Sequence, residues 1–153
     1  MASRTRLLRE LKAKTEEFGL NPVADNLMDW EAIITGPSDS PFAGGKFVIS
    51  FKVPDTYPFA APKVVFKTKI FHPNIHFDSG EICLDVLKSD WCPAWNLEAI
   101  CRAITALLSS PNAESPLNCD AGNMIRAGDM RAYNSMAKMY TIEFANLLFD
   151  KEI

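Results

Sequence analysis

Residues Lys46 to Val53 alternate strictly, with Phe47, Ile49, Phe51 and Val53 on one side and Val48, Ser50 and Lys52 on the other. A period of two with one apolar side describes a strand that buries one face and shows the other to water. Such half-buried strands belong to antiparallel sheets, since parallel sheets are covered on both faces. The neighbours agree. Leu27 to Thr35, with Trp30 and Ile34, reads as a strand, and Gly36 to Gly45 is dense in turn formers. Lys63 to Lys67 (K-V-V-F-K) is a further short strand, whereas Tyr57 to Pro62 holds too many prolines for a central one. Short turns between successive strands predict an antiparallel meander.

Helical periodicity brackets this sheet. At the N-terminus Ser3 is a candidate cap. Leu7, Leu8, Leu11 and Phe18 follow at helical spacing, and Gly19 and Pro22 end the run. Later, Asn96 caps a segment with Leu97, Ile100, Cys101, Ile104, Leu107 and Leu108 on one stripe, stopped by Ser109, Ser110 and Pro111. Asp120 to Ala127 reads as a short helix closed by Gly128. Asp129 caps a last helix with Tyr133, Met136, Ala137, Tyr140, Phe144, Leu147 and Leu148 on one face. The expected class is α+β, an antiparallel meander flanked by an N-terminal helix and C-terminal helices. A chain of 153 residues suits a single domain over 1–153.

Several function classes are disfavoured. No apolar run approaches the ~18 residues of a membrane span, and the charged N-terminus lacks a signal-peptide core, so the expected compartment is the cytoplasm. The net charge of -3 argues against nucleic acid as partner. That charge is uneven: Arg4, Arg6, Arg9, Lys12 and Lys14 against Glu10 give residues 1–14 a local +4, leaving -7 elsewhere. A basic helix on an acidic body reads either as a solvated face or as a surface for an acidic partner. The four cysteines (Cys83, Cys92, Cys101, Cys119) form no C-x-x-C pair, and there are two histidines, so no metal site is expected. In a reducing compartment they read as free thiols, most of them buried, with Cys101 on an apolar helix stripe.

The chemistry concentrates in His72 to Leu84, H-P-N-I-H-F-D-S-G-E-I-C-L, which holds both histidines and ends at Cys83. Proline-anchored loops (Pro58 to Pro62, Trp91 to Trp95) flank it. Prolines pre-set backbone angles, so such loops can present a side chain rigidly. Two readings of Cys83 stand side by side: a buried apolar triplet Ile82-Cys83-Leu84, or a nucleophile with the Asn74 amide available to a developing oxyanion. His72 before a proline reads as a turn-satisfying ring. His76 is either exposed loop or a neighbour of the thiol. A Cys–His hydrolase would need one of these rings as base and a third group to orient it, which the spacing does not establish.

Five motifs, in order and at consistent spacing, resemble the ubiquitin-conjugating enzymes, the E2 family with the UBC fold. They are G-P-x-x-S-P-x-x-G-G (Gly36 to Gly45), Y-P-F-x-x-P (Tyr57 to Pro62), H-P-N (His72 to Asn74), G-x-I-C-L (Gly80 to Leu84) and W-x-P-A (Trp91 to Ala94). The resemblance runs from the first helix to about Phe144. It implies transthiolation: Cys83 accepts ubiquitin as a thioester from an activating enzyme (E1) and passes it on. It further implies that Asn74 supports the loop and the oxyanion and that His72 is structural. Phe59, Pro93 and Ala94 would bind a RING-type ligase (E3), and Arg6 and Arg9 would meet an acidic activating enzyme or ligase. No cofactor is implied, because ATP is used by the activating enzyme.

A narrower resemblance, in Ser115-Pro116-Leu117, Asp120, Gly122-Asn123, Ile125-Arg126, Gly128-Asp129-Met130 and Ala132-Tyr133, is to the peroxisomal branch of that family. That branch ubiquitinates the cycling import receptor on a cysteine, docked to a membrane-anchored peroxin. It implies recruitment to the cytosolic face of the peroxisome membrane, with no insertion into it. One departure fits this: many lysine-directed members carry an acid before Pro116-Leu117, where this chain has Ser115, and position 76 is His76. A lysine acceptor, pKa ~10.4, needs deprotonation at pH 7, whereas a cysteine at ~8.5 already supplies some thiolate. Ser115 and His76 are therefore candidates for the acceptor environment. The alternatives are other cytosolic substrates, another ubiquitin-like modifier, an inactive UBC-fold module, or the hydrolase.

Overall fold

The computed structural model describes residues 2–146. Four strands form one antiparallel meander in sequence order: β1 (Asn21–Val23), β2 (Asn26–Thr35), β3 (Lys46–Lys52) and β4 (Lys63–Phe66). The α+β architecture expected from sequence is present, with α1 (Ala2–Ala13) before the sheet and α2 (Leu97–Ser109), α3 (Cys119–Arg126) and α4 (Met130–Phe144) after it. The register pairs Trp30 with Phe51, Ala32 with Ile49 and Ile34 with Phe47. The apolar sides of β2 and β3 therefore coincide, and all six of these residues are buried. Against them lie Leu97, Ile100, Cys101, Ile104 and Leu108, the stripe read from the sequence of α2.

Some sequence expectations move. Ser3 does not cap α1: it lies inside the helix and is buried, with no partner for its hydroxyl among the described residues. The helix stops at Ala13, well before Gly19 and Pro22, because the next backbone groups are diverted; the Thr15 N–H donates to the Glu98 carboxylate at 2.6 Å. Phe18 thus reaches the core from a turn rather than from the helix, and Leu8 faces outward at 39% exposure. Pro22 sits in β1, unforeseen as a strand; at a sheet edge, proline's missing N–H costs nothing. The α3 cap is Asn118, whose side chain accepts from the Ala121 N–H, and Asp129 caps α4 through Ala132. Of the expected α4 face, Tyr133 and Ala137 are buried and Phe144 is exposed, while Leu147 and Leu148 lie outside the described residues.

Among the described residues no helix is long and apolar enough to cross a membrane. Of the four thiols, Cys101 alone is buried; Cys83 is partly exposed, and Cys92 and Cys119 are exposed. The expectation that most would be buried fails because loops carry Cys92 and Cys83, and Cys119 opens α3 on its outer side.

Candidate active site

The segment from His72 to Cys83 folds back on itself beside β4. His76 and Glu81 are joined through the His76 N–H, Ile75 bridges Ile82, and Glu81 bridges Val65 of β4. Gly80 makes the return possible. Its φ is +77°, and a Cβ there would overlap the Phe66 carbonyl oxygen, which leaves room for glycine alone. The fold-back ends with the Cys83 N–H donating to the Asn74 carbonyl at 2.8 Å, so Cys83, a partly exposed residue, is held by its backbone.

Asn74 is the hub. Its carbonyl holds Cys83, and its side chain, in a residue only 3% exposed, holds a second loop. Nδ2 donates to the Asn112 carbonyl and Oδ1 accepts the Asn112 N–H, both at 2.8 Å. Pro73 adds to this, its carbonyl accepting from the N–H groups of Leu117 and Asn118. The loop after α2, Asn112 to Asn118, is thereby fixed against the segment that fixes Cys83. Ser115 sits in this loop, exposed, with a left-handed φ of 53° immediately before Pro116. Its carrier is thus brought to the same hub as Cys83. Asn112 was not singled out in the sequence, where nothing marks a backbone partner of a side-chain amide.

Neither histidine is aimed at the thiol by hydrogen bonding. His72 is fully buried. Its Nδ1 accepts the Asn74 N–H at 3.0 Å and its Nε2–H donates to the Leu107 carbonyl at 2.9 Å, which fixes the neutral tautomer. Burial drives its pKa down to about 4, against a smaller opposing effect of the Leu107 bond. At neutral pH it is an uncharged strut between this loop and α2. Nδ1 of His76 accepts the N–H groups of Asp78 and Ser79 at 3.2 and 3.1 Å. This is the role an asparagine Oδ1 plays in an Asx turn. With Nδ1 so occupied, the proton of neutral His76 sits on Nε2, and the ring offers a donor rather than a base to a passing group.

On another side, Phe59, Pro93 and Ala94 are exposed, Phe59 at 75%. Their two loops are tied together: Trp91 Nε1 donates to the Pro58 carbonyl at 2.9 Å, and the Trp91 and Tyr57 rings are 6.0 Å apart. Arg6 is not a free surface cation. Its Nη1 and Nη2 donate to the carbonyls of Pro93 and Trp95 at 3.0 and 2.7 Å, and its Nε to Glu10 at 2.9 Å. Its contribution to any partner therefore passes through the shape of the Pro93 loop, whereas Arg9 remains exposed. Among the described residues no cluster of side chains could hold a metal ion.

A cysteine is thus held by its backbone on a glycine-dependent fold-back beside a four-stranded antiparallel meander. The family model described as ubiquitin-conjugating enzyme matches residues 5–141. This chain belongs to the ubiquitin-conjugating enzymes. Among curated relatives it is 53% identical over 146 residues to "Protein PEROXIN-4" of Arabidopsis thaliana, covering 92% of this chain and 93% of that one. It is 52% identical over 141 residues to "Ubiquitin-conjugating enzyme E2 pex4" of Dictyostelium discoideum, covering 89% and 95%. Among solved structures, that of H. polymorpha Pex4p in complex with the soluble domain of Pex22p is similar, with TM-score 0.86, 31% identity and coverage of 95% and 99%. A Toxoplasma gondii E2 domain gives TM-score 0.87 at 34% identity, covering 93% and 99%. The enzyme is thus an acyl transferase that works through a cysteine thioester, together with ubiquitin, an activating enzyme and a ligase. A hydrolase and an inactive module are set aside with that assignment.

Proposed function

We propose that Cys83 is the thioester cysteine and that this E2 serves a peroxisomal import receptor. In charging, the Cys83 thiolate attacks the carbonyl of the ubiquitin thioester on the activating enzyme; a new S–C bond forms and the activating enzyme's thiolate leaves. ATP is consumed on the activating enzyme, and this chain needs no cofactor. In discharge, an acceptor thiolate or amine attacks the same carbonyl and Cys83 leaves as thiolate, an amine acceptor also losing a proton. Phe59, Pro93 and Ala94 bind a RING-type ligase, with Arg6 shaping their loop and Arg9 available to an acidic partner. Single domain 1–153 is docked by a membrane-anchored peroxin at the cytosolic face of the peroxisome membrane, as the Pex22p complex of the H. polymorpha relative and the peroxin-4 names of two others support.

The carrying observation is a thiol held by backbone alone, with both imidazoles bonded elsewhere. An acyl-enzyme with no base at hand resists water and waits for an acceptor. Asn74 supports the loop and has one amide N–H left over for the oxyanion, and His72 is structural. Ser115 and His76 set the acceptor environment, a hydroxyl and an imidazole donor where a carboxylate would help strip an ammonium. The enzyme therefore favours an acceptor that ionises without help, a cysteine over a lysine.

Single-turnover discharge of the ubiquitin thioester tests this. Loss of the thioester is expected to be faster with free cysteine than with free lysine, and Ser115→Asp is expected to raise the lysine rate at least about tenfold. Aspartate tolerates the left-handed backbone at this position, so the variant should fold. Faster discharge to lysine in the parent enzyme would overturn the acceptor reading. No thiol-sensitive adduct with ubiquitin, activating enzyme and ATP would overturn the assignment of ubiquitin itself.

A further inference from the structure

Glu10 is the lone acid in the basic N-terminal helix, and its carboxylate is nearly buried, at 10% exposure. Three donors from three parts of the chain converge on it. Oε2 accepts from Arg6 Nε of the same helix and from the Tyr57 hydroxyl; Oε1 accepts the N–H of Leu97, the first residue of α2, at 2.8 Å. Two of the donors, Tyr57 and Arg6, continue toward the exposed patch of Phe59, Pro93 and Ala94. Tyr57 lies two residues before Phe59 and packs on Trp91. Arg6 spends its other nitrogens on the carbonyls on either side of Ala94 and stands over the Tyr57 ring, 5.5 Å from its centroid. Burial, and then the carboxylate beside it, push the Tyr57 phenol upward, so it stays a neutral donor.

We infer that Glu10 is a positioning residue for ligase binding, setting the spacing between Phe59 and the Pro93–Ala94 loop through Tyr57 and Arg6. The two loops have no strand or helix of their own at the patch; a charge-assisted network supplies what regular structure does not. Removing its central charge leaves the Arg6 guanidinium and the Tyr57 hydroxyl competing for an amide, and the loops lose their common anchor. The inference rests on Phe59, Pro93 and Ala94 being the ligase surface.

Glu10→Gln keeps the shape and removes the charge. The enzyme is first charged to completion with excess activating enzyme. Thioester discharge is then titrated with a RING-type ligase that accelerates discharge of the parent enzyme, in parallel with Phe59→Ala. For Glu10→Gln the half-saturating ligase concentration is expected to rise about tenfold, as for loss of a hydrogen bond to a charged group. Its rate without ligase should stay within a factor of about two, since the thiol loop does not touch the network. Rates with and without ligase that fall together would overturn the inference, because Glu10 would then serve the fold as a whole and not the patch. An unchanged half-saturation in Glu10→Gln while Phe59→Ala is impaired overturns the positioning role alone. An unchanged half-saturation in Phe59→Ala overturns the ligase surface on which it rests.

Discussion

Asn74→Ala is expected to charge normally and to discharge about 100-fold more slowly, the scale of losing a preorganised donor at an acyl-transfer site. Charging needs Cys83 alone to be presented, and that depends on the Asn74 backbone carbonyl, which alanine keeps. On the proposed reading, discharge needs the Asn112 to Asn118 loop as well. The side-chain amide holds that loop by two bonds to the Asn112 backbone, and alanine releases both. Ser115 then loses its fixed place, and on the proposed reading the oxyanion loses a donor. Asn112 is exposed, so its freed groups can turn to water, and the stability cost should stay near that of a net hydrogen bond, about 0.5–1.5 kcal/mol. Single-turnover rates on pre-charged enzyme, with urea unfolding alongside, separate the two effects. Equal losses in charging and discharge would show instead that the whole loop had collapsed.

Gly80→Ala is expected to be the most damaging single-methyl change in the thiol loop, destabilising by roughly 3 kcal/mol or more through backbone strain combined with overlap. The comparison is Gly19→Ala. Gly19 also has a positive φ, +55°, but nothing lies within 4 Å of the added Cβ. Its cost should stay near the left-handed penalty alone, about 1–2 kcal/mol. At Gly80 the new Cβ meets the Phe66 carbonyl oxygen, and Phe66 N–H is bonded to the Gly80 carbonyl, so neither backbone can retreat without breaking the fold-back. Urea midpoints of the two variants measure the difference. Equal midpoint shifts would mean that the contact relaxes and that the glycine is needed for its φ only.

These two residues also mark what was legible beforehand. Strands and helices followed from periodicity because burial on one face writes itself into a local pattern: the alternation of Phe47, Ile49 and Phe51 and the stripe of α2 required no tertiary knowledge. The end of α1 did not, since it is set by a carboxylate on α2, Glu98. Nor did β1, whose Pro22 is acceptable only because it lies on an edge. At the site, motif spacing put Cys83, Asn74 and His72 in view, but long-range bonds decide their geometry. Asn112, Leu107 and Glu10 are far from their partners in sequence and carry no motif, and the motif that opens on Tyr57 gives no sign of its bond to Glu10. Glu10 alone left a trace, as one acid among basic residues on a half-buried helix. His76 was read as loop or neighbour of the thiol, and it is a turn cap, a role that depends on which ring nitrogen meets two N–H groups.

Three of the four cysteines are accessible in some degree, Cys83 partly exposed and Cys92 and Cys119 exposed, so accessibility by itself does not select the acyl carrier. Cys83 is distinguished by the fold-back and by the acceptor loop anchored at the same hub. The direct measurement is intact-mass and peptide mapping of enzyme charged with ubiquitin under ATP and activating enzyme, after rapid alkylation of free thiols. One thiol-labile ubiquitin is expected, with Cys92 and Cys119 alkylated, Cys83 protected, and no adduct on Cys83→Ala. Ubiquitin mapped to Cys92 or Cys119, or an adduct that survives Cys83→Ala, would contradict it.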